Sequence, residues 1–117
     1  MKDRVISQSK NGRIFICPNC EKIHIEFFNF LFSFNEEEFD YFKKCFERMD
    51  GCYYERANSG LNYTRKIIVP IGHRNASMML NRKELEELQD LLANKIQELE
   101  VDCFLSTKEI GIAIGSN

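Results

Sequence analysis

The first third of the chain alternates apolar and polar residues at a period of two, whereas two later stretches repeat their apolar residues every three or four positions. The first pattern is that of a half-buried strand and the second that of a helix with one apolar stripe. Val5-Ile6-Ser7-Gln8-Ser9 and Arg13-Ile14-Phe15-Ile16 flank Lys10-Asn11-Gly12, and Asn-Gly between two apolar runs predicts a β-hairpin. Lys22 to Glu26 alternates again, and Phe30-Leu31-Phe32-Ser33-Phe34 predicts a further strand after a turn near Asn29.

Asn35 then marks a helix start. Its side chain suits the N-cap, and Glu38 stands three residues on, the spacing of a capping box. Phe39, Phe42, Phe46 and Met49 follow at helical spacing, with Cys45 read as part of the same apolar face, and Asp50-Gly51 reads as the stop. Residues 52–60 show no period, and Ala57-Asn58-Ser59-Gly60 has loop composition. A strand is expected from Tyr63 to Val69, closed by Pro70, then a turn at Gly72-His73-Arg74-Asn75 and a short strand from Ala76 to Leu80. Asn81 and Glu84 repeat the capping box. Leu85, Leu88, Leu91, Leu92, Ile96 and Leu99 form the second helical stripe. In the tail, residues 104–117, Ile110, Ile112 and Ile114 alternate with small residues, the pattern of a strand or of a loose end.

Laying Asn35 over Asn81 brings strand, cap and helix into register in two places, with Phe42 over Leu88, Cys45 over Leu91 and Phe46 over Leu92. Two ββα units are the reading, although cap chemistry is generic enough to produce such a match without duplication. The expected fold is α+β: a single domain over residues 1–117, with an antiparallel sheet of four or more strands and two amphipathic helices packed on one face.

Composition narrows the function. No stretch approaches the roughly 18 apolar residues that span a bilayer. Met1-Lys2-Asp3-Arg4-Val5 lacks the apolar core of a secretory signal, so a cytoplasmic chain is expected. A net charge of −2 argues against a broad polyanion-binding surface. The five cysteines are an odd count, which fits reduced thiols in the cytoplasm better than a disulfide framework.

Cys17-Pro18-Asn19-Cys20 carries the most chemistry. Two thiolates in a turn between strands are half of a structural zinc site, and the set is completed from His24, Cys52, His73 and Cys103, or by the same pair of a second subunit. The bland reading is two reduced thiols in a tight turn. A redox pair would stand at a helix N-terminus, and a strand pattern follows here instead. Cys45 reads as a small core residue, and His24 and His73 as surface histidines.

No nucleophile elbow, His-Glu-x-x-His run or phosphate-binding glycine loop is present. Glu36-Glu37-Glu38 and Glu86-Glu87 read as solvated helix charge. The chain is therefore expected not to be an enzyme. A nucleic-acid surface would use Tyr63 for stacking and Arg65, Lys66, His73 and Arg74 for phosphates, but these cations are few and interleaved with acids. The ten phenylalanines call for cover. Placed on one strand, Phe28, Phe30, Phe32 and Phe34 share a face and Phe27 and Leu31 the other. Two apolar faces imply a partner through Phe27–Phe34, a second copy first of all.

The Cys17-x-x-Cys20 turn, the aromatic strand running into Asn35-Glu36-Glu37-Glu38-Phe39, Arg65-Lys66-Ile67-Ile68-Val69-Pro70 and Leu80-Asn81-Arg82-Lys83-Glu84-Leu85-Glu86-Glu87-Leu88 together resemble a small family of uncharacterised proteins from Bacteroidota, over residues 13–92. The resemblance implies a bacterial cytoplasmic protein and brings no activity, ligand or cofactor with it.

Overall fold

The computed structural model describes residues 4–19, 21–72 and 75–94. Their order is β1 (Arg4–Gln8), β2 (Gly12–Ile16), β3 (Ile23–Phe27), β4 (Phe30–Phe34), α1 (Glu36–Glu47), α2 (Gly51–Ala57), β5 (Ile67–Pro70), β6 (Ser77–Leu80) and α3 (Arg82–Ala93). The α+β class is thus the one expected. The described residues fall into two compact units: those up to Glu47 together with those from Leu88 on, and Arg48–Glu87. The chain passes from the second unit back to the first within α3.

In the first unit β1 to β4 form an antiparallel meander in chain order. Alternation decides its two faces. Ile14, Ile25 and Phe32 stand opposite one another, as do Ile16, Ile23 and Phe34. This inner face holds the core, with Ile14, Ile23, Ile25 and Phe27 buried together with Phe39 and Phe46 of α1 and Leu88, Leu91 and Leu92 of α3. Burying a side chain of that size contributes about 1.5–3 kcal/mol. Gly12 is required where β2 crosses β3, because a Cβ there would lie 2.6 Å from the backbone oxygen of Glu26.

β1 carries a bulge. Val5 pairs with Phe15 and Ser7 with Ile14, leaving Ile6 as the extra residue, and both Ile6 and Ser7 are buried. The Ser7 hydroxyl donates to the carbonyl of Leu91 at 2.7 Å, a second donor to a carbonyl in the last turn of α3 that also accepts from the Asn94 amide.

Most of the phenylalanine excess finds its cover inside this unit. Phe30, Phe32 and Phe34 stack in a ladder with ring centres 5.9 Å apart, and Phe42 of α1 lies tilted on Phe32 and Phe34 at 5.2 and 5.1 Å and on Phe46 at 4.8 Å. The expected face assignment needs a correction at its start. Phe27 ends β3 and pairs with Phe30 on the inner face, while Phe28 sits in the turn at φ +54° and is exposed. The two-residue turn interrupts the alternation that a single strand from Phe27 would have kept.

The second unit holds the remaining hairpin. β5 and β6 pair antiparallel as their own two-stranded sheet, with Ile67, Met78 and Leu80 buried beside Leu85 of α3. The six strands among the described residues therefore divide four and two instead of extending one sheet. A helix also appears where none was expected. Asp50 is the N-cap of α2, its carboxylate accepting from the amides of Cys52 at 3.0 Å and Tyr53 at 3.3 Å. The Asp50-Gly51 pair that reads as a stop is a start. Residues 63–66, expected as the beginning of a strand, lie outside β5, whose first residue is Ile67.

Both predicted capping boxes form. Asn35 Oδ1 accepts from Glu38 N at 2.8 Å while Glu38 Oε1 accepts from Asn35 N at 2.9 Å, and Asn81 and Glu84 repeat the exchange at 2.8 and 2.9 Å. α3 ends at Asn94, which takes φ +62° and donates its amide to Leu91 O, the left-handed stop typical of a helix C-terminus. Ile96, Leu99 and the tail lie outside the described residues.

Candidate functional site

Cys17 closes β2 into a turn fixed by two backbone bonds, Glu21 N to Cys17 O at 3.0 Å and Cys17 N to Lys22 O at 3.3 Å. Glu21 adopts φ +58° to make that reversal. The thiol is half-buried; Cys20 lies outside the described residues. His24, a candidate to join it, stands on the outer face of β3, stacked on Phe15 at 5.1 Å with Nδ1 2.8 Å from the Ser33 hydroxyl. Cys52 belongs to the second unit, where its sulfur accepts from the Arg82 guanidinium. His73 and Cys103 are not among the described residues. Within those that are, no three of His, Cys, Asp and Glu gather closely enough to hold a metal ion.

Cys45 is not core. It is exposed, because on α1 it falls to the flank of the stripe set by Phe39, Phe42 and Phe46, one turn beyond the exposed Tyr41. The neighbouring thiol raises the ionisation point of the Tyr41 hydroxyl, first through their hydrogen bond and then through its charge, with a smaller contribution from desolvation.

The nucleic-acid residues are differently disposed from the sequence expectation. Tyr63 is exposed, but Arg65 forms a bidentate pair with Glu84, 2.8 Å to each oxygen, and Lys66 donates to the carbonyl of Leu61. The Arg65 guanidinium holds the Glu84 carboxyl below the usual carboxylate range, against a smaller opposing effect of burial. Two of the cations proposed for phosphates are thus engaged within the chain. Arg74 and His73 fall outside the described residues.

α2 builds a feature that the sequence reading missed, an open cleft of about 510 Å³ lined by Cys52, Glu55, Arg56, Ser59 and Arg82. Arg82 spans it, reaching Glu55 at 3.6 Å as well as Cys52. The signal lay in Asp50, whose carboxylate two and three residues before Cys52 and Tyr53 caps a helix as readily as it ends one.

The strongest surface feature is β4. It stands last in the sheet, and among the described residues its backbone bonds as a strand run to β3 alone. An open edge is usually blunted by charge, proline or a bulge. β1, at the opposite edge, has the bulge at Ile6 and an exposed Arg4 and Gln8. β4 has none of these: Phe-Leu-Phe-Ser-Phe is uncharged and pairs with β3 through five successive positions without a slip. Its outward Leu31 is 63% exposed. Around it the outer face carries Arg13, which lies over the Phe15 ring at 4.3 Å and pairs with Glu26 at 2.9 Å.

The chain belongs to a family of unknown function, DUF6686, whose pattern spans residues 1–117. No curated protein and no solved structure is significantly similar to it. None of the helices in the described residues is long and apolar enough to cross a membrane.

Proposed function

We propose that the protein is a non-enzymatic interaction module that recruits its partner along β4. The observation that carries this reading is the contrast between the sheet's two edges. One is blunted by a bulge and a charge; the other is a regular, uncharged, aromatic strand with exposed Leu31. A strand in that state presents a row of amides and carbonyls that a further strand satisfies, with side-chain pockets on alternate positions. Incorporating a photo-crosslinking amino acid at Leu31, and at Gln8 as control, tests the reading in cells. Adducts at position 31 and none at position 8 are expected; no adduct at 31 overturns it.

The Cys17–Cys20 turn belongs to the same proposal as a structural zinc half-site. Its support is the pair of backbone bonds that shape the turn around Cys17, which set a thiol at a tight reversal between two strands, with a second cysteine at the Cys-x-x-Cys spacing of zinc ligands. Native mass spectrometry of the wild type and of Cys17→Ser/Cys20→Ser decides it. One zinc per one or two chains, lost in the variant, is expected; a metal-free wild type ends the idea.

A further inference from the structure

Resting on the reading of β4 as the working edge, we infer that the strand it takes is β4 of a second copy, antiparallel, about a two-fold axis through Phe32. The sequence of the strand is close to palindromic in character. Reversed on itself, Phe30 meets Phe34 of the second copy, Phe32 meets Phe32, and Leu31 meets Ser33. The inner-face row of Phe30, Phe32 and Phe34 then faces its own copy across the axis, ring against ring, at the cross-strand Cβ separation of about 4.5–5.5 Å where aromatic pairs stabilise a sheet. On the outer face the exposed Leu31 is set beside Ser33 of the second copy.

Charge favours the same occupant. From Phe27 to Asn35 no residue is ionisable, in a chain of which 29% is charged, so two copies meet along β4 without like charges facing each other. Directly opposed like charges across strands are destabilising, and a second β4 brings none to this edge. The blunted β1 edge gives the assembly its limit. Within the four-stranded sheet of the described residues β4 is the unblunted edge, so pairing through it closes at two and yields a continuous eight-stranded sheet from two four-stranded ones.

The register makes the inference testable on solvent-facing positions alone. Leu31→Lys/Ser33→Lys places like charges opposite one another on both sides of the axis, whereas Leu31→Lys/Ser33→Glu places opposite charges there. Native mass spectrometry and light scattering at micromolar concentration are expected to show a wild type of twice 13.8 kDa, at least a tenfold weaker dimer for the double-lysine variant, and recovery for the charge-swapped one. A wild type that stays monomeric, or a double-lysine variant that dimerises as well as the wild type, overturns the inference. Should either variant fail to fold, the Leu31 photo-adduct decides. A mass of two chains supports the second copy. An adduct of foreign mass removes the second copy while leaving β4 as the interaction edge, and an adduct within one chain, or none, removes both.

Discussion

The strand–cap–helix of β4 and α1 and that of β6 and α3 are written in the same local code and supported by different physics. In each, an asparagine and a glutamate three residues on satisfy each other's amides at nearly identical distances. Beyond the cap they diverge. α1 is fastened by rings, with Phe42 wedged against Phe32 and Phe34 and in contact with Phe46. The start of α3 is fastened by charge, through the Arg65 pair to a Glu84 that already serves the cap. Local sequence therefore places a helix start, and what secures it is decided by residues far along the chain.

Removing a ring from the aromatic side tests this contrast most severely. Phe46→Ala takes away a buried side chain in contact with Phe42 and is expected to cost about 3–5 kcal/mol, measured by urea denaturation. A cost below about 1 kcal/mol would show that the rings do not secure α1. Next come the caps themselves. Asn35→Ala and Asn81→Ala each remove one oxygen acceptor and are expected to cost about 1 kcal/mol, read as a fall in melting temperature. A clearly larger loss at Asn81, where Glu84 is also held by Arg65, would show the ion pair and the cap acting together.

The smallest effect is in the acid limb of stability. Glu84 ionises below its ordinary value in the folded chain, chiefly because Arg65 donates to it. Its contribution is thus fully present above the unfolded-state value near about 4.3 and disappears as pH falls through the lower folded value. Glu84→Gln should flatten that limb relative to wild type in melts taken from pH 6 to 3. The difference should shrink in high salt, since Arg65 is largely exposed and screened. An unchanged limb would mean that the pair is too well solvated to matter.

What could be read from residues alone was whatever local rules govern. The Lys10-Asn11-Gly12 hairpin, the alternation of β3 and both capping boxes stand where the patterns put them. Where two rules competed, reading by period went astray. Asp50-Gly51 satisfies the signature of a stop and that of a cap, and α2 is only seven residues long, too short for a stripe to show. Cys45 sits three residues after Phe42 and one before Phe46, close enough to an apolar stripe in sequence to join it and far enough around the helix to be exposed. Phe27 and Phe28 were assigned to faces by parity, and a turn resets parity. Of the proposed interaction surface, the aromatic run was legible and the asymmetry of the two edges was not, because a bulge such as that at Ile6 leaves no mark in composition. The Arg65–Glu84 pair, spanning nineteen positions, had no local signal at all.

That extra residue in β1 has a consequence for how far growth can go. Val5 and Ser7 already sit opposite neighbouring partners on β2, so excising Ile6 would straighten the strand without shifting its pairing. Arg4 alone would then guard that margin. If copies pair through β4 as inferred, losing both the isoleucine and the arginine would let that pairing run on from end to end, so two residues would mark the boundary between a finite particle and a fibre.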